Sequence, residues 1–398
     1  MHILLLNEYY PPDTSATAKM AAMVVEKLAS RHRITVIAGR PSYDPTERFS
    51  WCLLRRERNG NISVERVGST ALPRFKIFRR VTNYLTYLAL AIPRAIMIRS
   101  DVVLAMTDPP IAGIAGAIVS RLTGRPFIYN IRDLYPDMAV GGHIMRPGLA
   151  ARIWERMHRW ALRRATRVIV LGDDMRERII NKGVNPSHIS VVRDGVMIPA
   201  ELPDPANSVT QEIRGGFKFV ALHAGNIGFY GAWDTLLEAA SRLGASGSGI
   251  VFVGDGAQKA RLTAAAAGVP AIRFLPFRPA GEIPLVLAAG DVHIITVKRG
   301  LEGVIVPSKL YGILAAGKPV LAVSTPKTDV ARIITEADCG VVVDPDDPDA
   351  VAKAIDDLAA HPERVAEMAH RARAIAHNYD KFTELNRFLE VIEGVIQE

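Results

Sequence analysis

A lysine stands at the predicted start of an apolar helix within residues 301–324, LEGVIVPSKLYGILAAGKPVLAVS. Pro307 and Ser308 are typical of a helix start, because proline suits the first turn and a serine hydroxyl can accept from free backbone amides. Such amides attract anions, and Lys309 adds a mobile positive charge beside them. This stretch by itself predicts equally an anion site and an ordinary capped helix with a solvated lysine.

Residues 222–240 hold three glycines, Gly225, Gly228 and Gly231, between a predicted strand and a predicted helix. Glycines allow backbone amides to wrap a phosphate. Their spacing is not the G-x-G-x-x-G of dinucleotide-binding folds and no Walker lysine follows, so neither chemistry is supported. Because parallel strands of one domain end at one edge of their sheet, this loop and Lys309 together predict a diphosphate site without a metal.

Two loops of the first half carry polar side chains after predicted strands. Asp13, Thr14 and Ser15 cluster at a predicted helix start, where at least one of them is expected to cap the helix. Asp133, in NIRDLYPDM, is equally well interpreted as a carboxylate facing a ligand and as a turn or N-cap aspartate. His223, at a strand end, is interpreted as a packed core histidine, with contact to a ligand as the alternative.

Other catalytic classes lack their signatures. The sequence contains no H-E-x-x-H, paired C-x-x-C or G-x-S-x-G, so zinc hydrolysis and a serine-hydrolase mechanism are not supported. Cys52 and Cys339 give no sign of a disulfide framework and favour a reducing cytoplasm. The N-terminal HILLLN is predicted to be a strand, since it is too short and too uncharged in front for a signal peptide.

The elements that hold these residues alternate between strands and helices, which indicates parallel sheets. In the first half, strands are predicted at 3–6, 33–38, 101–106, 126–131, 167–171 and 189–193, and helices at 16–30, 81–98, 111–122 and 148–165. After a linker predicted at 199–216, strands are predicted at 217–225, 249–254, 271–276, 291–297, 319–323 and 340–343, and helices at 233–243, 257–267, 281–289, 308–316 and 327–337. With 398 residues, 49% of them hydrophobic, the chain is predicted to form two doubly wound α/β domains with a cleft between them.

The first half of the chain is strongly basic. Residues 1–200 hold 30 Lys and Arg against 16 Asp and Glu, a net charge of +14, whereas the rest holds 19 against 25, a net charge of −6. This asymmetry predicts an anionic partner for the first half, with nucleic acid and membrane as candidates. Nucleic acid is the weaker candidate, because aromatic and basic residues do not alternate on a strand there and no groove-reading motif is present.

Four segments together resemble the retaining glycosyltransferases of family 4, which have the GT-B fold of two Rossmann-like domains. They are YYPPDTSATA at 9–18, IRDLYPD at 131–137, HAGNIG at 223–228 and VPSKLYGILAAGKPVLA at 306–322, with FVGDG at 252–256 in support. The similarity is greatest to the fucosaminyltransferase-like enzymes of O-antigen and capsule synthesis. It implies an acceptor-binding domain over 1–203, a donor-binding domain over 204–380 and a C-terminal helix over 381–398 that packs back on the first domain.

The resemblance also implies the site residues. The donor-binding residues would be Asp13, Thr14, Ser15, Gly225, Asn226, Gly228, Phe277, Arg278, Pro307, Ser308, Lys309 and Leu310, and the catalytic residues would be Asp133, Glu302 and Lys309. The amides of the glycine loop would face the diphosphate, Ser308 and Lys309 would add charge-assisted contacts to it, and loop 276–278 would lie near the nucleobase. The loop around Asp13 would close over the donor.

One departure from the family pattern concerns the ribose. Many members carry a Glu-x7-Glu motif whose second glutamate contacts the ribose, but Val304 and Gly312 occupy those places here. Glu302 lies close to the first place but out of register, so its contact with the donor sugar is a hypothesis. The basic residue that usually follows the glycine loop is also missing, which makes Lys298 and Arg299 candidates to share phosphate neutralisation with the site lysine.

The implied reaction is transfer of a sugar from a nucleoside diphosphate, most commonly uridine diphosphate (UDP) in this family, to an acceptor hydroxyl with retention at the anomeric carbon. The acceptor would be a glycan, often lipid-linked, in cell-surface polysaccharide synthesis, and neither a cofactor nor a metal is expected. A sugar-nucleotide epimerase with the same fold is the alternative enzyme. A non-catalytic nucleic-acid-binding protein is the alternative outside enzymes.

Two segments favour a membrane surface as the anionic partner. The uncharged core Val81–Pro93 is flanked by basic residues, namely Arg74, Lys76, Arg79, Arg80, Arg94 and Arg99. It is shorter than the roughly 20 residues that a membrane span needs, but it suits the interface. A second basic set stacks on one helical face close to Trp154 and Trp160, namely Arg152, Arg156, Arg159 and Arg163. Each segment alone is interpreted as an ordinary outer helix, whereas together with lipid-linked acceptors they predict a cytoplasmic enzyme peripheral on the inner face of the cell membrane.

Overall fold

The computed structural model describes residues 1–43, 46–73, 76–204, 206–244 and 247–397, so Arg74 of the predicted membrane segment lies outside the described residues. The strands are β1 (His2–Leu6), β2 (Arg33–Ala38), β3 (Leu54–Asn59), β4 (Ile62–Val67), β5 (Val102–Ala105), β6 (Phe127–Asn130), β7 (Arg167–Val170), β8 (Ile189–Val191), β9 (Phe219–Ala224), β10 (Ser248–Val253), β11 (Ile272–Leu275), β12 (Val292–Thr296), β13 (Val320–Val323) and β14 (Gly340–Val343). The helices are α1 (Ala16–Ala29), α2 (Ile77–Met97), α3 (Ala112–Thr123), α4 (Asp137–Gly141), α5 (Leu149–Arg164), α6 (Asp173–Asn181), α7 (Ser208–Arg214), α8 (Trp233–Arg242), α9 (Lys259–Ala265), α10 (Ile283–Ala289), α11 (Lys309–Ala315), α12 (Asp329–Ala337), α13 (Pro348–Ala360), α14 (Pro362–Ala376) and α15 (Lys381–Gln397). Short 3₁₀ helices cover Pro186–His188, Ala280–Glu282 and His377–Tyr379.

The chain divides into two compact units. The first unit comprises Met1–Val140, Met145–Val192 and the C-terminal residues from Leu385, and the second comprises Gly141–Ile144 and Arg193–Glu384. The first unit thus ends its main segment before the boundary at residue 203 that was expected from the sequence. Most of α15 belongs to the first unit.

The first unit is built on an eight-stranded sheet in the order β3-β4-β2-β1-β5-β6-β7-β8. All neighbouring strands run parallel except β3 and β4, which are antiparallel. The central strands are nearly continuous runs of buried aliphatic residues, as expected where helices cover both faces of a parallel sheet. Their carboxyl ends, where ligands bind in such sheets, share one edge.

The strands β3 and β4 were not predicted, because charged residues interrupt their apolar pattern. β3 reads LRRERN and is mostly exposed. In β4, Glu65 is buried and pairs with Arg94 of α2, whose Nη2 lies 2.8 Å from Glu65 Oε1. Arg66 is buried too and lies 3.2 Å from Glu57 Oε1. These ion pairs replace the hydrophobic contacts on which a strand prediction relies.

The second unit is built on a six-stranded parallel sheet in the order β11-β10-β9-β12-β13-β14. One face packs on a core that includes Trp233, Leu236 and Leu358 from α8 and α13. The other face packs on α11, α12 and α14, with Leu314, Ile334 and other aliphatic residues buried. Helices on both faces make this sheet doubly wound, as the alternating pattern predicts.

The predicted linker over 199–216 contains a helix, α7, which belongs to the second unit. The Asn207 side chain caps it by accepting from the amide of Thr210 at 2.9 Å. Val209 and Ile213, four residues apart, pack on the core. The linker prediction was therefore wrong for this part, because a helix of two turns shows its apolar face through only two residues.

In the described part of the chain, no helix combines the length and the apolar character that crossing a membrane would require.

Candidate active site

The side chain of Lys309 defines the candidate site at the carboxyl edge of the second sheet. Lys309 is the first residue of α11 and is half-buried. Its ammonium nitrogen lies 3.2 Å from Nε2 of His223, at the end of β9. A methyl group placed on the Cα of Gly225 would lie 3.5 Å from the same nitrogen. The structure therefore brings the predicted lysine and the predicted glycine loop together.

His223 is a packed core residue that also contacts the site. It is buried, and its ring lies edge-on to the Trp233 ring with centroids 4.8 Å apart. Its Nδ1 lies 3.3 Å from the carbonyl oxygen of Ile294, so this nitrogen carries the proton and Nε2 presents a lone pair to Lys309. Burial, followed by the neighbouring Lys309 charge, holds the pKa of His223 well below its usual range. A neutral imidazole therefore accepts a hydrogen bond from the lysine ammonium.

The Lys309 ammonium is itself perturbed, because burial lowers its pKa to about 8. Removing a cation from water disfavours its charged form, and an anion nearby reverses that effect. Across the described residues, no carboxylate forms an ion pair with Lys309. The site thus holds a positive charge that a phosphate group would complement.

The glycine loop is held more tightly than the sequence predicts. The Gly225 amide donates to the Val253 carbonyl at 2.9 Å, so it is already engaged and is not free to face a diphosphate as expected. Gly254, with φ of +152°, approaches so closely that a Cβ on it would lie 2.0 Å from the Gly225 carbonyl oxygen. Asn226 is exposed, and the Gly228 carbonyl accepts from the Trp233 indole at 2.6 Å. The loop shape therefore depends on contacts with the FVGDG segment.

The residues around the start of α11 differ in exposure. Ser308 is exposed, and its side chain does not cap the helix, contrary to the capping interpretation. Pro307 is half-buried and its carbonyl accepts from the amide of the buried Leu310 at 3.2 Å. Ser308, the residue before Lys309, therefore has an exposed hydroxyl, whereas Leu310 packs in the core.

The loop after β11 holds the two residues predicted to lie near a nucleobase. Phe277 is 67% exposed, which leaves its ring open to stacking. Arg278 forms an ion pair with Glu212 and lies 3.6 Å from Glu282. Because these carboxylates neutralise Arg278, any contact of its side chain with the nucleobase would be a packing contact rather than a charged one.

Glu302 lies in the segment between β12 and α11. Its Oε1 accepts from the Thr325 hydroxyl at 2.9 Å and from the Gly300 amide at 3.1 Å. Since Thr325 follows β13, Glu302 is at the same edge of the sheet as Lys309. Arg299, a candidate to share phosphate neutralisation, instead lies 2.6 Å from both Asp344 and Asp346.

In the first unit, the predicted loop residues have structural roles. The buried Asp13 carboxylate accepts from the amides of Ser42 at 2.9 Å and Tyr43 at 2.7 Å. Ser15 caps α1 by accepting from the Ala18 amide at 3.0 Å. Thr14 is half-buried between them. The buried Asp13 carboxylate thus shapes its own loop, and its role in binding the donor stays a prediction.

Asp133 lies just after β6, at the carboxyl edge of the first sheet, and is half-buried. Buried polar residues that were not predicted share this edge, namely Asn7, Glu8, Thr107 and Asn130. Each stands at or just after the end of an apolar strand, which is the signal that could have found them. This edge therefore concentrates buried hydrogen-bonding groups.

In the described ranges, His, Cys, Asp and Glu residues form no group of three that could hold a metal ion.

Comparison with known proteins identifies both halves of the chain. Residues 15–195 match the family model of a glycosyl transferase 4-like domain, and residues 218–361 match that of glycosyl transferases group 1. The probable glycosyltransferase WbjE of Pseudomonas aeruginosa is 26% identical over 308 residues, which cover 75% of this chain and 76% of WbjE. WcaI of Escherichia coli K12, named as a colanic acid biosynthesis glycosyl transferase, is 24% identical over 417 residues, which cover 99% of this chain and 100% of WcaI.

Solved structures agree with the fold. Anabaena Alr3699/HepE in complex with UDP-glucose aligns with a TM-score of 0.70 and 19% identity, over 99% of this chain and 100% of that one. WaaG, a glycosyltransferase involved in lipopolysaccharide biosynthesis, aligns with a TM-score of 0.66 and 16% identity, over 99% of this chain and 100% of that one. The predicted GT-B fold class is confirmed. The chain is a glycosyltransferase, composed of a glycosyl transferase 4-like domain followed by a glycosyl transferases group 1 domain.

Proposed function

We propose that this enzyme transfers a sugar from a UDP-sugar to a hydroxyl of a lipid-linked glycan during cell-surface polysaccharide synthesis. The names of similar proteins support this substrate class, since HepE was solved with UDP-glucose and WcaI is named for colanic acid biosynthesis. The observation that carries the proposal is the half-buried Lys309 ammonium beside Gly225, which has a neutral imidazole rather than a carboxylate as its partner.

The proposed reaction proceeds with retention at the anomeric carbon. As the bond from the sugar to the diphosphate breaks, negative charge grows on the leaving phosphate, and the Lys309 ammonium stabilises it from a position fixed in advance. The exposed Ser308 hydroxyl donates a further hydrogen bond. The departing phosphate takes the proton of the acceptor hydroxyl, so no covalent nucleophile is needed. Glu302 is the proposed contact to the donor sugar, and Asp133 is the proposed catalytic carboxylate of the first unit.

The enzyme is proposed to work without a metal or a cofactor, with Lys309 carrying the neutralisation that a divalent cation provides in other transferases. UDP should bind equally well with magnesium present and after chelation of divalent cations, whereas binding that requires magnesium would contradict it.

The acceptor side is proposed to lie on an anionic membrane. On α2, residues at every fourth position are apolar and exposed, namely Ile77, Val81, Leu85, Ala89, Pro93 and Met97. On α5, the arginines Arg152, Arg156 and Arg163 are exposed, while Arg159 lies 2.6 Å from Glu155. An apolar stripe with basic neighbours suits the interface between water and lipid.

UDP binding tests the role of Lys309. Replacing Lys309 by alanine removes a charged hydrogen-bond donor worth about 1.5–3 kcal/mol, so calorimetry should show UDP binding weakened by roughly 10- to 150-fold. Uridine, which lacks the diphosphate, should bind both proteins equally if it binds at all.

Lys318→Ala is the matched control, because Lys318 is also a half-buried lysine of the second unit whose pKa is lowered by burial. Its ammonium donates to the Ala288 carbonyl at 2.8 Å, and it precedes β13, so it lies at the opposite edge of the sheet. Its loss should leave UDP affinity unchanged. Equal losses in both variants would assign the effect to folding, and an unchanged Lys309→Ala protein would refute the site.

Release of an isomerised sugar without an acceptor would favour the epimerase.

A further inference from the structure

An apolar groove opens on the first unit between α2, α3 and α5. Its volume is about 500 Å³, which is within the range of small-molecule sites. It is lined by Leu88, Ile92, Ile111, Ile114, Ala115, Ile118, Ala150, Ile153, Trp154 and Met157. Such a lining offers dispersion and burial but almost no hydrogen bonding, so a hydrocarbon fits it better than a sugar does.

The surface around the groove is also apolar and open. Leu149, Ile153 and Met157 of α5 are 75%, 52% and 45% exposed, and Leu85 of α2 is 57% exposed. Monomeric soluble proteins rarely expose contiguous apolar surface of this kind, and where they do it commonly marks a membrane or protein contact. The groove is therefore a depression within a larger apolar face.

Charges on another face of α5, the helix that forms one wall of the groove, indicate which contact it is. Arg152, Arg156 and Arg163 project from α5 into solvent and form no ion pair with any described residue. Unpaired arginines complement the phosphates of anionic lipids, and the apolar face next to them complements the acyl tails. A protein partner would instead need carboxylates that match these arginines on an otherwise apolar surface. Helix α5 thus offers both a charged surface for lipid phosphates and an apolar surface for acyl chains.

We propose that the groove takes one acyl chain of an anionic membrane phospholipid, with the phosphate of that lipid against the α5 arginines. The inference rests on the proposed membrane association and adds a specific chain-binding site to it. A chain that leaves a bilayer for the groove gains mainly from close contact with a fitted surface. The groove therefore holds the enzyme in one orientation rather than merely near the lipid.

Trp154 lines the groove and reports on its occupant. Vesicles of phosphatidylglycerol and phosphatidylcholine in equal amounts, brominated in the acyl chains, should quench its fluorescence. Trp154→Phe should remove most of the quenching, whereas Trp160→Phe should retain it. Vesicles of phosphatidylcholine alone should bind and quench weakly.

Two matched substitutions separate the groove from the surrounding face. Ala150 and Ala89 are both exposed on helices of the first unit, but only Ala150 lines the groove. Ala150→Phe should fill the groove and reduce Trp154 quenching at least several-fold at equal bound protein. Ala89→Phe should leave it unchanged.

The outcomes distinguish the inference from the function on which it rests. If Ala150→Phe and the parent are quenched alike, the groove does not hold a chain, even when vesicle binding persists. If the parent fails to bind phosphatidylglycerol vesicles, both the chain site and the membrane proposal are refuted. UDP binding, measured on the same preparations, tests the transferase proposal separately and should be identical in all variants.

Discussion

The partner of Lys309 decides how the lysine can act. A carboxylate partner would cancel the ammonium charge, whereas the neutral His223 orients it through one hydrogen bond and leaves the charge available. The orientation is fixed at its far end as well, because the His223 ring is held by the Ile294 carbonyl and by Trp233. A bound anion would therefore meet a charge already in place.

This arrangement predicts a pH dependence of UDP binding. The Lys309 pKa is about 8 without ligand, and a bound diphosphate raises it, so binding is strongest below pH 8 and weakens as pH rises through 8 towards the raised value. Affinity should fall by up to about tenfold per pH unit above pH 8. Calorimetry between pH 7 and 9.5 measures the slope, and Lys309→Ala should show a flat profile over that interval. A steep profile in the variant would assign the titration to another group.

The proximity of Lys309 and Gly225 could be predicted from the sequence, because each residue follows a strand and parallel strands end at one edge of their sheet. The sequence was not sufficient to place their hydrogen bonds. The Gly225 amide donates to Val253, and the Asp13 carboxylate accepts from the amides of Ser42 and Tyr43. Such partners are distant in sequence and leave no trace in local spacing, so roles inferred for individual amides and carboxylates were the least predictable part of the site.

Among the elements, those with a continuous apolar signal were predicted and those with a mixed signal were not. The buried strands β1 and β9 match their predicted ranges within two residues at each end. The strands β3 and β4 were missed because buried ion pairs replace apolar contacts there. A prediction from hydrophobic periodicity cannot register a strand whose inner face is charged.

The α5 helix predicts a salt-sensitive attachment to anionic lipid. Each basic residue near such a surface is worth about 1 kcal/mol, so Arg152→Glu with Arg156→Glu should weaken binding to phosphatidylglycerol vesicles by at least 30-fold. Co-sedimentation at low and high salt measures the effect, and the parent should also bind less at high salt.

A charge-matched control comes from the second unit. Lys327 and Lys353 are both exposed, and Lys327→Glu with Lys353→Glu changes the net charge by the same amount. If this variant loses as much binding as the α5 variant, the attraction depends on net charge rather than on α5.

The first unit depends on residues from two widely separated stretches of the chain. Leu385, Phe388, Leu389 and Ile392 of α15 are buried in the core that contains Ile3, Leu5 and Val36 of the first sheet. Along the sequence, the second unit therefore lies between two segments of the first. A helix over 381–398 was expected from the sequence, but local sequence pattern does not show which core that helix joins.

Two phenylalanines on α15 test this dependence. Phe388 is 4% exposed and Phe382 is 61% exposed. Phe388→Ala should cost the first unit about 3–5 kcal/mol of unfolding free energy, and Phe382→Ala should cost much less. Scanning calorimetry should show the first-unit transition lowered only in Phe388→Ala, while UDP still protects the second unit from heat. Equal shifts in both variants would mean that α15 is not part of the first core.

The position of α15 also has a consequence for biosynthesis. Domains usually fold in order as they leave the ribosome, at about 5–20 residues per second. Here residues 385–397 emerge after the entire second unit, which spans Arg193–Glu384. Synthesis of the second unit therefore takes roughly 10–40 s. During this time the first sheet lacks α15, and the face around Ile3 and Val36 is uncovered. Throughout this interval the nascent chain is a substrate for chaperones, and faster elongation should raise the yield of folded enzyme.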